Sequence, residues 1–130
     1  PQLKFQSMNG VLRTVVGYTG GKTKNPTYRK IMDHTEAIFI EYDPSVVSFM
    51  AILKRWAQMD YPFNADEKAQ YRSAVWFLDD VQKEQIETVV EMIQKRNPDR
   101  KVYVGIEPAT TFYQAEEYHQ NYLSKRGAAL

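Results

Sequence analysis

Apolar and polar residues alternate with period two over Val11–Tyr18, a stretch rich in β-branched residues, which predicts a strand. Asn9-Gly10 opens it and Gly20-Gly21 closes it, both turn signals. A second strand is predicted at Glu36–Tyr42, with Glu36, Ile38, Ile40 and Tyr42 on one face. The period then lengthens. Val46, Phe49, Met50, Leu53, Trp56 and Ala57 form one helical stripe, with Asp43 as N-cap, Pro44 at the first helical position and an end near Met59. Tyr71–Leu78 reads as a strand. Asp79 or Asp80 caps a helix with the stripe Ile86, Val89, Val90, Ile93, which stops before Asn97-Pro98. Lys101–Ile106 reads as a short strand. A last helix is predicted over Thr111–Lys125, with Phe112, Ala115, His119 and Tyr122 on one line. Pro1–Met8 reads as the tail of a helix, Tyr28–Met32 as one helical turn and Asp60–Ala69 as irregular loop. The order β, β, α, β, α, β, α predicts one α+β domain over 1–130, a two-layer plait with helices on one face of a mixed sheet.

Composition narrows the function classes. A chain of 130 residues is long enough for one real core. Its 17 basic and 16 acidic residues are spread without a block of like charge, which argues against nucleic acid and anionic membranes as partners. Apolar runs such as Phe49–Leu53 fall far short of the roughly 20 residues a membrane span needs. There is no cysteine, so these residues offer no disulfide, thiolate metal site or thiolate nucleophile. Nine tyrosines supply hydroxyls on apolar rings, suited to gripping a small polar group.

Several candidate sites can be weighed on spacing alone. Gly17–Thr23, GYTGGKT, has its glycines one position too close for a phosphate loop, and Asn25-Pro26 stands where a helix should begin. A glycine turn explains it better. His34 and His119 are far apart and lack clustered partners, so metal binding is weakly supported. Glu36 heads an otherwise apolar strand face. Solvation at the strand end explains it; so does a half-buried carboxyl able to hand over a proton. Tyr71 divides the same way, and Asp66 by itself is a solvated loop aspartate.

Taken in order, a longer pattern emerges. Gly10-Val11, Gly17-Tyr18-Thr19-Gly20-Gly21, Asn25-Pro26-Thr27-Tyr28, His34-Thr35-Glu36-Ala37, Tyr42-Asp43-Pro44, Gln70-Tyr71-Arg72-Ser73 and Ala115-Glu116-Glu117-Tyr118-His119-Gln120 follow one another. Together they resemble the peptide methionine sulfoxide reductase A family from Phe5 to about Leu123. The resemblance implies a ferredoxin-like plait and the reduction of methionine (S)-sulfoxide, a protein-repair activity. It implies that Glu36, Tyr28 and Tyr71 hold the sulfoxide oxygen, that Asp66 orients water or a tyrosine, and that His119 supports the site. It further implies no bound cofactor, thioredoxin or another thiol as external reductant, a monomer, and the cytoplasm as compartment.

The chain also departs from that family. The family opens its site with G-C-F-W-G, followed five positions later by the phenylalanine that matches Phe5. The nucleophilic cysteine and the aromatic pair would therefore lie just before Pro1, and the chain reads as an N-terminally truncated reductase, inactive as it stands. Phe63–Ala69 lacks the glycine usual in the family's aspartate loop, and the loop to His34-Thr35-Glu36 is shorter than usual. The competing expectation is a non-catalytic paralogue that binds oxidised methionine or a protein partner.

Overall fold

The computed structural model describes residues 2–64 and 68–120. Its elements are α1 (Gln2–Gln6), β1 (Val11–Thr19), β2 (Thr35–Tyr42), α2 (Phe49–Met59), β3 (Ala74–Phe77), α3 (Asp80–Arg96), β4 (Gly105–Pro108) and β5 (Tyr113–Gln114). The fold is α+β. Strands β2, β1 and β5 form an antiparallel sheet in that order, and β3 and β4 form a parallel pair. Both strand orientations expected of a mixed sheet occur, divided among the described residues between two ladders.

Glu36, Ile38, Ile40 and Tyr42 were expected to share a face, and the last three pack with Phe5, Val47 and Ile52 in one core cluster. Leu53, next to Ile52 on α2, enters a second cluster with Ile86 and Val89 of α3 and Val75, Phe77 and Ile106 of the parallel pair. Trp56 packs against both. Helix α2 therefore joins the two sheets through adjacent faces of one turn.

Local chemistry moved several predicted boundaries. Helix α2 starts at Phe49, not at Pro44, because the Asp43 carboxylate is engaged by the Ser45 N–H (2.9 Å) and hydroxyl (2.6 Å). Ser48 is the N-cap instead, accepting the Ala51 N–H at 3.0 Å. At α3 the predicted cap holds: Asp79 accepts the Gln82 N–H while the Gln82 side chain accepts the Leu78 N–H, both at 2.8 Å.

Tyr71 ends a short 3-10 turn, Ala69–Tyr71, and the strand begins only at Ala74. The Lys101–Ile106 strand is displaced to Gly105–Pro108. The Val102 and Tyr103 N–H groups are committed to Gln94 Oε1 and to the Pro62 carbonyl, so they cannot enter the ladder. Tyr28–Met32 is not a helical turn; Thr27 and Lys30 bridge across a tight turn and Met32 has φ 58°.

The predicted helix over Thr111–Lys125 is absent from its described part. The edge of β1 takes Tyr113–Gln114 as a strand, and Glu117–His119 is a single 3-10 turn. Beyond it, the buried Gln120 amide accepts the Val16 N–H and donates to the Val16 carbonyl, each at 2.9 Å, extending the β1 edge with a side chain. The remainder of that predicted helix, 121–125, lies outside the described residues.

Candidate active site

The C-terminal end of β1 and the start of β2 lie side by side, with Tyr18 opposite Glu36 and Thr19 opposite Thr35. Directly opposed residues put their side chains on the same face. The Glu36 carboxylate is half-buried, and its Oε1 accepts the Gln70 amide at 2.9 Å. Among the described residues its other oxygen has no hydrogen-bond donor. Gln70 lies in the 3-10 turn that packs against β2, so Tyr71 follows directly from a residue bonded to Glu36. The Tyr71 ring is 56% exposed and open to a ligand.

Tyr18 is 1% exposed and its hydroxyl donates to Glu116 Oε1 at 3.2 Å. Burial, then the charge and hydrogen bond of Glu116, push the phenol far above its ordinary 10.0. Tyr18 is thus a fixed donor rather than an acid. Desolvation pulls the Glu116 carboxyl upward, but donors outweigh it and hold the group below its ordinary value: its own backbone N–H, the Tyr28 N–H, and the hydroxyls of Tyr118 and Tyr18. Tyr28 is 45% exposed, and its ring lies 4.3 Å from that of His119, which also meets Tyr118 at 4.1 Å. The buried His119 Nε2 has no hydrogen-bond partner among the described residues.

The predicted residues thus fall into two groups joined by Tyr18. Glu36 and Tyr71 share the β2–Gln70 corner; Tyr28 and His119 share the Glu116 corner. Asp66 lies outside the described residues. Sequence reasoning missed Tyr18, Gln70 and Glu116 as members of this network, and beside it Arg72, which donates to Thr35, and Glu107, which accepts from Arg72. Tyr18, Gln70, Arg72 and Glu116 stood inside quoted motifs without a role; Glu107 had no signal at all.

The other candidates take structural roles. The His34 Nδ1 accepts the Gly21 N–H at 3.1 Å, which leaves Nε2 to donate to the Thr23 carbonyl at 2.6 Å. His34 is 1% exposed and braces the glycine loop. In that loop the Asp33 carboxylate occupies the backbone donors a phosphate would need, accepting the Lys22 N–H at 2.6 Å and the Thr23 N–H at 3.3 Å, and it also accepts the Thr23 hydroxyl at 2.7 Å. Those bonds, the Lys22 N–H first, lower the Asp33 carboxyl from 3.8 to about 2. Among the described residues no group of three or more His, Asp or Glu side chains could hold a metal ion, and no helix is long and apolar enough to cross a membrane.

Comparison with known proteins adds an independent line. A family profile described as peptide methionine sulfoxide reductase matches residues 2–129. A peptide methionine sulfoxide reductase of Solanum lycopersicum is 38% identical over 97% of this chain and 69% of its own length. One of Drosophila melanogaster is 40% identical over 91% of this chain and 48% of its own length. The chain thus spans from about half to about two thirds of these relatives. A solved structure described as methionine sulfoxide reductase A of Corynebacterium diphtheriae superposes with a TM-score of 0.88 at 28% identity, covering 99% of this chain and 70% of that one.

Proposed function

The chain belongs to the peptide methionine sulfoxide reductase family, and from that premise we propose that the protein reduces methionine (S)-sulfoxide, free or within peptides and proteins, to methionine. The observation that carries the site is the half-buried Glu36 carboxylate. Gln70 holds one oxygen at 2.9 Å, and the exposed Tyr71 ring stands on the next residue. A sulfoxide carries partial negative charge on oxygen and positive charge on sulfur. A thiolate attacks the sulfur, the S–O bond breaks, and charge grows on the departing oxygen. Donors placed around that oxygen stabilise the transition state. Glu36, protonated, donates to it and delivers the proton; Tyr71 and Tyr28 donate beside it, and Asp66 orients water or a tyrosine hydroxyl. The attack forms an S–S bond, and the oxygen, taking a second proton from solvent, leaves as water. Water then attacks the thiol's sulfur, the S–S bond breaks with its electron pair going to methionine, one proton is released, and the thiol becomes a sulfenic acid. A second thiol then condenses with it, releasing water and leaving a disulfide for the external reductant.

The 130 residues hold no cysteine, so the thiolate comes from outside them. In this reading it belongs to a Gly-Cys-Phe-Trp-Gly motif placed ahead of Pro1. Thioredoxin or another thiol recycles it, no bound cofactor takes part, and the protein works as a cytoplasmic monomer. The test is to join that motif, with an upstream strand, to Pro1 and assay with dithiothreitol. Reduction of the S epimer is expected from the extended protein and none from the 130 residues alone. If the extended, folded protein forms a thiolate yet reduces neither free nor peptide methionine sulfoxide, the site is one for binding only.

A further inference from the structure

Tyr71 is flanked by two residues that both reach β2. Gln70 donates to Glu36 at 2.9 Å, and the Arg72 Nε–H donates to the Thr35 hydroxyl at 2.7 Å. Thr35 is 1% exposed and directly precedes Glu36. The far side of the Arg72 guanidinium is forked onto the Glu107 carboxylate of β4: Nη2 donates to Oε1 at 2.9 Å, and Nη1 donates to Oε2. The fork takes the bidentate geometry that arginine offers and lysine does not.

Backbone around this guanidinium is cut to fit. A Cβ on Gly20, at the end of β1, would lie 2.9 Å from Nη2; one on Gly105, at the start of β4, would lie 2.8 Å from Nη1. Trp76 covers the group, its ring centre 5.6 Å from the guanidinium carbon. The antiparallel and parallel sheets share no ladder among the described residues. Arg72 therefore spans the gap between them, beside the two groups whose separation the chemistry needs constant.

We propose that Arg72, oriented by Glu107, is a positioning residue that fixes Tyr71 relative to Glu36 at the sulfoxide oxygen. Its relevance to catalysis rests on the reductase reading above; its geometric content does not. Gln70 alone would leave Tyr71 on a single tether. With Thr35 as the second, the turn is held on both sides of the tyrosine. The charged partner Glu107 stops the guanidinium from rotating away, a supporting arrangement of the kind that keeps reacting groups in register.

The experiment uses the full 130-residue chain, labelled for NMR. Residual dipolar couplings report the orientation of the Gln70 and Tyr71 amides relative to β2. N-acetyl-methionine (S)-sulfoxide methylamide is the binding probe. Arg72→Lys keeps the charge but removes the fork. It is expected to retain the circular dichroism of the helices, to average the Gln70 and Tyr71 couplings toward zero, and to weaken the probe about tenfold, the loss typical of a charged hydrogen bond. Glu107→Gln should move both readouts the same way by less, and the double variant should be no worse than Arg72→Lys. Couplings that stay at wild-type values in folded Arg72→Lys overturn the inference, whatever the probe does. Should Arg72→Lys fail to fold, the couplings in Glu107→Gln decide on the same terms. Should the wild-type chain, which lacks the aromatic pair, bind no probe, the couplings alone decide the inference; the reductase reading is decided by the extended protein.

Discussion

The Tyr18 hydroxyl reaches Glu116 Oε1 at 3.2 Å across 98 residues of chain, tying the central strand to the segment that carries Tyr118 and His119. Because the phenol is buried, the bond is not one that water can replace. Tyr18→Phe keeps the ring and removes the donor, so about 1 kcal/mol of stability should be lost, read as a lower midpoint in urea. The sign of the alkaline dependence follows from the raised phenol. Its contribution is complete below the ordinary 10.0 and is lost as pH climbs above it. Ultraviolet titration of wild type against Tyr18→Phe should give the same tyrosinate signal near pH 10, since Tyr18 has not yet ionised there.

Acid should loosen the glycine loop only at low pH. Asp33 is lowered from 3.8 to about 2 by the Lys22 N–H and the Thr23 hydroxyl. A depressed carboxyl stabilises the fold above its unfolded value and loses that contribution as pH falls through the folded one. The loop anchored on Asp33 should loosen between pH 3.8 and about 2. Carboxyl-detected NMR would follow Asp33 directly. In Asp33→Asn, the Lys22 and Thr23 amide shifts should no longer move in this window; movement equal to wild type would refute the assignment.

In the cysteine-bearing extended protein, Glu36→Gln should lower kcat by about 10²–10³, the usual loss of one preorganised group at a developing oxyanion. Tyr28→Phe or Tyr71→Phe should cost less, because the other hydroxyl still faces the oxygen. Stopped-flow single turnovers separate this step from recycling by thiol. An equal rate in Glu36→Gln would remove the carboxyl from the proposed chemistry.

The core makes a separate prediction. Ile86 is fully buried between Leu53 and Val89. Ile86→Ala should destabilise the protein by about 2–5 kcal/mol through lost contact and the cavity left behind. Val81→Ala, at a residue 65% exposed on the same helix, should stay within about 0.5 kcal/mol. Paired denaturant melts would check the contrast.

The parts legible in the sequence were those with a strong local period. Strand β2 packs Ile38, Ile40 and Tyr42 on one face and α3 packs Ile86, Val89, Val90 and Ile93 into one cluster, so alternation or a stripe survives in the residue order. The burial of β1 does not alternate, and its β-branched run between glycine turns marked it instead. Thr111–Gln120 failed for the opposite reason. Its apolar residues suit a helical line, but the open β1 edge offered hydrogen bonds that an isolated helix could not match, and Ala115 spends its N–H on the Val16 carbonyl. The candidate site was legible only as motifs. Glu36, Tyr28 and Tyr71 were candidates from the family pattern. The bonds that hold the corner, Arg72 to Thr35 and Glu107 or Glu116 to Tyr18, join residues 35 to 98 positions apart and leave no local signature.

Gln2 and Gln120 are 118 positions apart, yet their side-chain amides meet over β1, with Gln2 also bonded to the Thr14 carbonyl. During synthesis β1 and β2 emerge early, and β1 then waits with an open edge until the residues around Tyr113 and Gln120 arrive. An unpaired strand edge is a template for another chain. A chain that ends after β4 therefore presents two completed core clusters with the β1 edge still open. Nascent chains released before residue 114, the last of β5, should aggregate through that edge, which makes late closure of β1 the hazardous moment in the life of this protein.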